Sequence, residues 1–225
     1  MNAKISEIFE SIQGEGILVG VRQLFIRFCG CNLNCYYCDT LKDSEFCVDH
    51  VSGKNLRNPV SADRVQGLID STKVHSVSFT GGEPMLHAEF IRILRRTKPF
   101  YLESNMTLPE KAKKLRFVDF VAGDLKVREA KLETYENLLE RTFESFRILR
   151  NTKRRRTFCK IVLPSDFNAE EVLNSAMQIK EYVECFVLQP VFGSRLENIF
   201  KLQEKMIEFA DTRVIPQVHK FIGVK

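Results

Sequence analysis

Apolar positions in this chain keep two different periods, and the two alternate along most of its length. Spacings of three and four mark helices, whereas short apolar runs between turn residues mark buried strands. On that reading helices cover 61–71, 87–97, 109–115, 131–150, 169–182 and 195–208. Strands cover 22–29, 75–80, 100–103, 117–122, 157–163, 184–189 and 212–215. Ser61 stands as an N-cap before a helix whose Val65, Leu68 and Ile69 share one face. The longest helix carries Leu132, Tyr135, Leu138, Leu139, Phe143, Phe146 and Leu149 at helical spacing, a stripe that reads as core packing. Only 41–60 is long and irregular, as a lid or an insertion would be.

Strands and helices in this order predict an α/β fold of parallel strands joined by crossover helices. About six such units are too few for an eight-fold barrel, and the pattern fits a doubly wound open sheet or a partial barrel alike. Ligands gather at the carboxyl ends of the strands in both. The unusual residues fall there: Cys31 after the first strand, Thr80-Gly81-Gly82 after the second and Ser104-Asn105 after the third. Asp124-Leu125-Lys126 follows the fourth strand and Gln189-Pro190 the sixth, so one shared site is expected. No repeat, linker or low-complexity stretch interrupts the chain, and residues 1–225 read as a single domain.

Composition narrows the picture little: 44% hydrophobic, 28% charged and a net charge of +5 are ordinary for a globular protein. Neither a leader-type apolar segment nor an apolar run near 20 residues is present, which argues for the cytoplasm and against a membrane span. Seven cysteines, an odd number and partly clustered, fit a reducing compartment better than a disulfide scaffold. One basic run, Lys153 to Arg156, has no interleaved aromatics, which argues against nucleic-acid binding. A solvated loop, or a contact for an anionic reductase, is the expected role.

The chemistry-bearing cysteines are Cys31, Cys35 and Cys38, spaced C-x3-C-x2-C with no fourth at a matching interval. Thiolates are the usual protein ligands of a four-iron cluster, and three of them leave one iron open. The alternatives are a zinc knuckle, which needs four ligands and finds no second Cys/His cluster here, or reduced buried thiols. Cys29 lies two residues upstream and reads, like Cys47, Cys159 and Cys185, as a buried thiol. Thr80-Gly81-Gly82-Glu83-Pro84 follows a strand, and its glycines permit close backbone approach to a ligand, although a plain β–α turn would look the same. Near the start, Ser11-Ile12-Gln13-Gly14-Glu15-Gly16 places two polar groups in a glycine-rich loop that does not itself need them. Near the end stands Pro216-Gln217-Val218-His219-Lys220.

The cluster loop, with Tyr37 before its last cysteine, resembles that of the radical S-adenosylmethionine (SAM) enzymes, and GGEP resembles their methionine-contacting element. SIQGEG, Cys38-Asp39-Thr40, GGEP and PQ-x-HK together resemble the 7-carboxy-7-deazaguanine synthases over residues 10 to about 221. The resemblance implies a partial, modified (β/α)6 barrel of the radical SAM type, a homodimer, and a [4Fe-4S] cluster whose open iron chelates SAM. It implies conversion of 6-carboxy-5,6,7,8-tetrahydropterin to 7-carboxy-7-deazaguanine by radical ring contraction with loss of ammonia, on the route to queuosine or archaeosine. An external low-potential reductant of flavodoxin or ferredoxin type would serve it.

By the same resemblance Cys31, Cys35 and Cys38 hold the cluster. Tyr37, Cys38, Asp39, Gly82, Asn105, Asp124, Leu125, Lys126, Gln189 and Pro190 bind SAM. Thr40 binds Mg²⁺, as a hard oxygen donor does when the ion keeps waters and borrows substrate oxygens. Ile12, Gln13, Gly14, Arg27, Thr80 and His219 recognise the pterin, with Arg27 placed to pair with its carboxylate. Two departures stand out: Met106 where the family often has glycine, and Tyr37 where tryptophan is frequent. A glycyl-radical activase, an electron-transfer or iron-sensing protein, and a zinc-bound RNA module are the competing readings. The first lacks need of Mg²⁺ and of both terminal motifs, the second predicts no SAM cleavage, and the third a colourless zinc protein.

Overall fold

In the computed structural model, which describes residues 1–38, 40, 43–130, 135–194 and 197–224, the apolar runs become strands of one large sheet. The chain begins with β1 (Asn2–Ala3), β2 (Ile5–Ile12), β3 (Arg22–Phe28), β4 (Phe46–Asp49), β5 (Lys54–Arg57) and β6 (Val60–Ser61). Then helix and strand alternate: α1 (Ala62–Ser71), β7 (Ser76–Gly81), α2 (Ala88–Ile93), β8 (Phe100–Ser104), α3 (Pro109–Ala112) and β9 (Phe120–Asp124). They continue as α4 (Tyr135–Ile148), β10 (Arg156–Leu163), α5 (Ala169–Ile179), β11 (Phe186–Pro190), α6 (Ile199–Ile207), β12 (Thr212–Val214) and α7 (Val218–Ile222).

Strand order decides between the two folds left open above. Among the described residues it runs β12-β11-β10-β9-β8-β7-β3-β2-β4-β5, and from β3 to β12 every neighbouring pair is parallel. A doubly wound sheet reverses its order at a switch point so that helices cover both faces. Here the order never reverses, and right-handed crossovers therefore put the helices on one face. The result is a partial barrel, open between β5 and β12, as the resemblance implied.

Side-chain alternation then sorts residues by face. Outward, Leu24, Ile26, Phe28, Val77, Phe79, Leu102, Ile161 and Leu188 join one core with Val65, Ile69, Ile91, Phe146, Val172, Leu202 and Met206 of the helices. Inward, Tyr101, Ala122, Phe158 and Val187 form a smaller cluster with Leu18 that fills the bottom of the barrel. Gly16, at φ +65°, lets the Leu18 turn press on this cluster, since a Cβ there would lie 2.4 Å from Phe158 Cζ. Above that plug the inward positions turn polar, and the site begins.

Several expectations need correction. Within 41–60, of which 41 and 42 lie outside the described residues, β4 and β5 form an antiparallel hairpin, with Cys47 and Asp49 buried on alternate positions and the polar, mostly exposed β5 at the sheet edge. Charged residues on such an edge discourage pairing with another chain, which made the strand look like a loop. The fourth strand of the core begins at Phe120, because a 3₁₀ turn follows α3 and Val118 N donates to Leu115 O. The second predicted helix stops at Ile93, with Leu94 already extended. The start of the longest helix, 131–134 with Leu132, lies outside the described residues, as does the Tyr135 side chain; Leu138, Phe146 and Leu149 are buried as predicted. Ser61 does cap α1, its hydroxyl accepting from Arg64 N at 3.3 Å.

The basic run is the largest correction. Arg155 is buried, and its guanidinium donates to the carbonyls of Leu149 at 3.1 Å, Arg150 at 2.9 Å and Arg116 at 2.9 Å. It closes the C-terminal end of α4, whose last carbonyls have no partner within the helix. Arg156 pairs with Glu184. Only Lys153 and Arg154 answer to a solvated loop.

Candidate active site

Two loops at the carboxyl ends of β3 and β7 lie backbone on backbone. Gly82 N donates to Phe28 O at 2.9 Å, and Glu83 N to Gly30 O at 2.8 Å. Contact this close has no room for side chains: a Cβ on Gly82 would sit 1.8 Å from Gly30 O, and one on Gly81, at φ +104°, 2.5 Å from the Phe28 backbone. The glycine pair is therefore more than a turn; it seats the cysteine loop.

Cys31, Cys35 and Cys38 follow on that loop, tightened by Cys38 N donating to Cys35 O at 3.1 Å. Cys31 Sγ accepts from Leu33 N at 3.4 Å and faces Asn105 Nδ2 at 3.7 Å. Asn105 is set from below by Glu83, whose carboxylate accepts from Asn105 N, Met85 N and Ser104 Oγ at 2.8–2.9 Å. Burial pushes the Glu83 carboxyl up to about 7, against the pull of those three donors.

Met106 follows at φ +59°, in the left-handed region that favours glycine. Its side chain is fully buried beside Gly123 and Phe146. Replacing Met106 by glycine relieves about 1 kcal/mol of backbone strain but forfeits about 3 kcal/mol of burial. Met106→Gly is expected to melt roughly 4–8 °C lower than wild type in a thermal scan. A higher melting temperature would show that strain outweighs packing.

Below the loops lies an acidic floor around one ammonium. Lys160 Nζ lies 2.6 Å from Glu15 Oε2, 2.6 Å from Glu103 Oε1 and 3.4 Å from Asp124 Oδ1. Glu103 Oε2 accepts from Thr80 Oγ1 at 3.0 Å, and Glu15 Oε1 from Gln217 Nε2 at 2.6 Å. Asp124 also pairs with Lys126 at 2.6 Å, whose Nζ lies 5.6 Å from the centre of the Tyr37 ring.

The terminal motifs meet over this floor. Val218 N donates to Gly14 O at 2.9 Å, and a Cβ on Gly14 would stand 2.1 Å from His219 Nδ1. Gln13 is nearly buried: its amide donates to Gln23 Oε1 at 3.0 Å and its oxygen accepts from Glu15 N at 3.0 Å, holding the loop's shape. Arg27 lies over the Phe9 ring at 5.0 Å and donates to Glu7 Oε2 at 3.3 Å.

All of this encloses one cavity of about 470 Å³. The three cysteines, Tyr37, Thr40, Gly82 and Asn105 line its upper part, and Asp124, Lys126 and Gln189 its side. Ile12, Gln13, Gly14, Arg27, Thr80 and His219 line the rest, so residues from opposite ends of the chain share one space. Leu125 turns into the core, Pro190 falls outside the lining, and Asp39 lies outside the described residues. Glu103 and Lys160 escaped sequence reasoning, and Glu15 was noticed without a role. Lys160 carried a signal, being a single charge within the apolar strand Phe158 to Leu163.

The donor set fits an iron–sulfur cluster. Burial pushes the Cys31 and Cys35 thiols up, so they become thiolates only when a metal takes the proton's place. Three thiols lining one cavity suit a cluster that binds each iron through one sulfur. Among the described residues no three Cys, His, Asp or Glu side chains converge on a single-ion site, which is what zinc would need. Cys29, Cys47, Cys159 and Cys185 are buried away from the lining.

Comparison with known proteins agrees. Residues 25–179 match the family model of the Radical SAM superfamily. The chain is 70% identical to the 7-carboxy-7-deazaguanine synthase of Archaeoglobus fulgidus, covering all of both chains. It is 35% identical to that of Geobacter sulfurreducens, over 98% of this chain and 97% of the relative. The crystal structure of QueE from Escherichia coli superposes with a TM-score of 0.60 over 97% of this chain and 95% of that one; at 19% identity it speaks for the fold alone.

Proposed function

The chain belongs to the 7-carboxy-7-deazaguanine synthases of the radical SAM superfamily, and from that footing we propose how its cavity carries out their reaction. The enzyme converts 6-carboxy-5,6,7,8-tetrahydropterin to 7-carboxy-7-deazaguanine with loss of ammonia. When bound and reduced by an external donor, the cluster and SAM would supply the radical chemistry that activates C6 of the pterin.

The protein's part is placement. Cys31, Cys35 and Cys38 hold the cluster, and the Gly81-Gly82 contact keeps their loop against β7. Gly82, Tyr37, Asn105 and the 124–126 and 189–190 segments hold SAM. Arg27 takes the pterin carboxylate, with Mg²⁺ held at Thr40. Ile12 to Gly14, Thr80 and His219 hold the ring. Homodimerisation belongs to the same reading and is checked by sedimentation.

What carries the reading is that both terminal motifs and the cysteine loop line one cavity of small-molecule size. A glycyl-radical activase acts on a partner's backbone and has no use for a rear wall built from Gln13 to Glu15 and Gln217 to His219. The test is an anaerobic assay of reconstituted enzyme with the pterin, SAM and strong reductant, with and without Mg²⁺. 7-Carboxy-7-deazaguanine is expected by mass spectrometry, in a yield that rises with Mg²⁺ and needs more of it in Thr40→Ala. Release of 5′-deoxyadenosine without product would overturn the substrate.

A further inference from the structure

We infer that Lys160 is a positioning residue for the substrate: its ammonium holds the Glu15 and Glu103 carboxylates side by side as fixed acceptors for the pterin's N–H edge. The inference rests on the proposed function. The bland alternative is a lysine that merely neutralises buried acids.

Three observations favour the stronger role. First, Lys160 joins parts of the chain far apart in sequence. It bridges the loop after β2, through Glu15, to the end of β8, through Glu103, at equal distances of 2.6 Å. Second, the far oxygens of both carboxylates are also fixed, by Gln217 and by Thr80, and all five of these side chains line the cavity. Each carboxylate oxygen has two lone pairs, so these contacts leave acceptor capacity facing the empty space. Third, charge does not cancel. Glu15, Glu103 and Asp124 surround Lys160 and Lys126 pairs with Asp124, so three carboxylates face two ammonium groups and the floor has an excess of acceptors.

The 2-amino-4-oxopyrimidine edge of a pterin offers N–H donors and has its carboxylate at the opposite end. An acidic floor and the Arg27 guanidinium on one cavity wall suit that polarity. Ordinary lysine neutralisation would not require the two acids to be aligned with each other.

The groups facing Lys160 also define a pH signature. Around it stand Glu15, Glu103 and Asp124, with Lys126, Tyr101 and His219 beyond. Burial alone would push Glu15 up, but Lys160, Gln217 and His219 bring it down to about 2. Its charge is thus present above pH 4.5 and lost only far below, so pterin binding should not feel it near neutrality. Without the ammonium, the largest influence opposing burial is gone, and the Glu15 carboxyl moves back up and takes up a proton more readily as pH falls.

The experiment is calorimetric titration of 6-carboxytetrahydropterin into anaerobic, SAM-loaded enzyme with its cluster unreduced, so that binding is read without turnover. Lys160→Gln is expected to weaken the pterin about 30-fold at pH 7, the effect of losing aligned charged hydrogen bonds, with SAM affinity within about twofold of wild type. The loss should be larger at pH 6 than at pH 8. Lys160→Arg keeps the charge but not the reach, and should weaken the pterin about fivefold at every pH, since Arg and Lys are not interchangeable at a shaped site.

Unchanged pterin affinity in either variant would overturn the inference. So would equal losses for pterin and SAM, or a loss independent of pH in Lys160→Gln. If Lys160→Gln does not fold, the arginine arm decides alone. Wild-type enzyme that binds SAM but no pterin would instead overturn the substrate reading, and this inference with it.

Discussion

Gly82→Ala is expected to leave the enzyme with little cluster and with SAM cleavage at least about a hundredfold below wild type. A methyl group 1.8 Å from Gly30 O must separate the two loops by more than an ångström before ordinary contact is restored. Flexible side chains could give way, but both partners here are backbone, pinned by Gly82 N to Phe28 O and Glu83 N to Gly30 O. The separation would carry Cys31 away from Asn105 and shift the cysteine loop off its seat on β7. Iron and sulfide analysis of reconstituted protein reads the first effect, and release of 5′-deoxyadenosine the second. Gly53→Ala is the control: φ is +68° there and nothing lies within 4 Å, so only about 1 kcal/mol of backbone strain is at stake. Full cluster occupancy in Gly82→Ala would mean that the loops tolerate separation.

Arg155→Ala is expected to cost about 3–4 kcal/mol of stability, lowering the melting temperature by roughly 10 °C. Truncation takes the side-chain donor from the part-buried carbonyls of Arg150 and Arg116 and leaves Leu149 O with Thr157 Oγ1 alone. It also leaves a void where a large side chain stood. Arg154→Ala, one residue away and exposed, should change melting by less than about 2 °C. Rates per folded molecule should match wild type, because Arg155 lies at the end of β10 opposite the cavity. An Arg155→Ala enzyme that melts like wild type would show that solvent satisfies those carbonyls.

Features that depend on local spacing were readable in the sequence, and features that depend on distant partners were not. The parallel units from β7 onward, the Ser61 cap and the cysteine loop each lie within a few residues of their cause. The glycine pair was visible, although its purpose was not, since Gly30 is its partner across the sheet. Arg155 looked like one cation among four because a helix C-terminus and the residue 116 carbonyl come to it only on folding. Lys160 was visible as an oddity, but its three carboxylates arrive from residues 15, 103 and 124. The β4–β5 hairpin hid because an edge strand with a charged surface lacks the apolar run that marks an interior one.

The wall that Gln217 and Glu15 build together joins residues 202 positions apart. During synthesis the strands from β8 onward can pair in order as they emerge, each beside its predecessor. The rear wall cannot, because its second half leaves the ribosome only after every barrel strand. A nascent chain arrested before Gln217 would hold its cysteine loop and glycine pair with the floor still uncovered. Until Gln217 is made, the cavity stays open from behind.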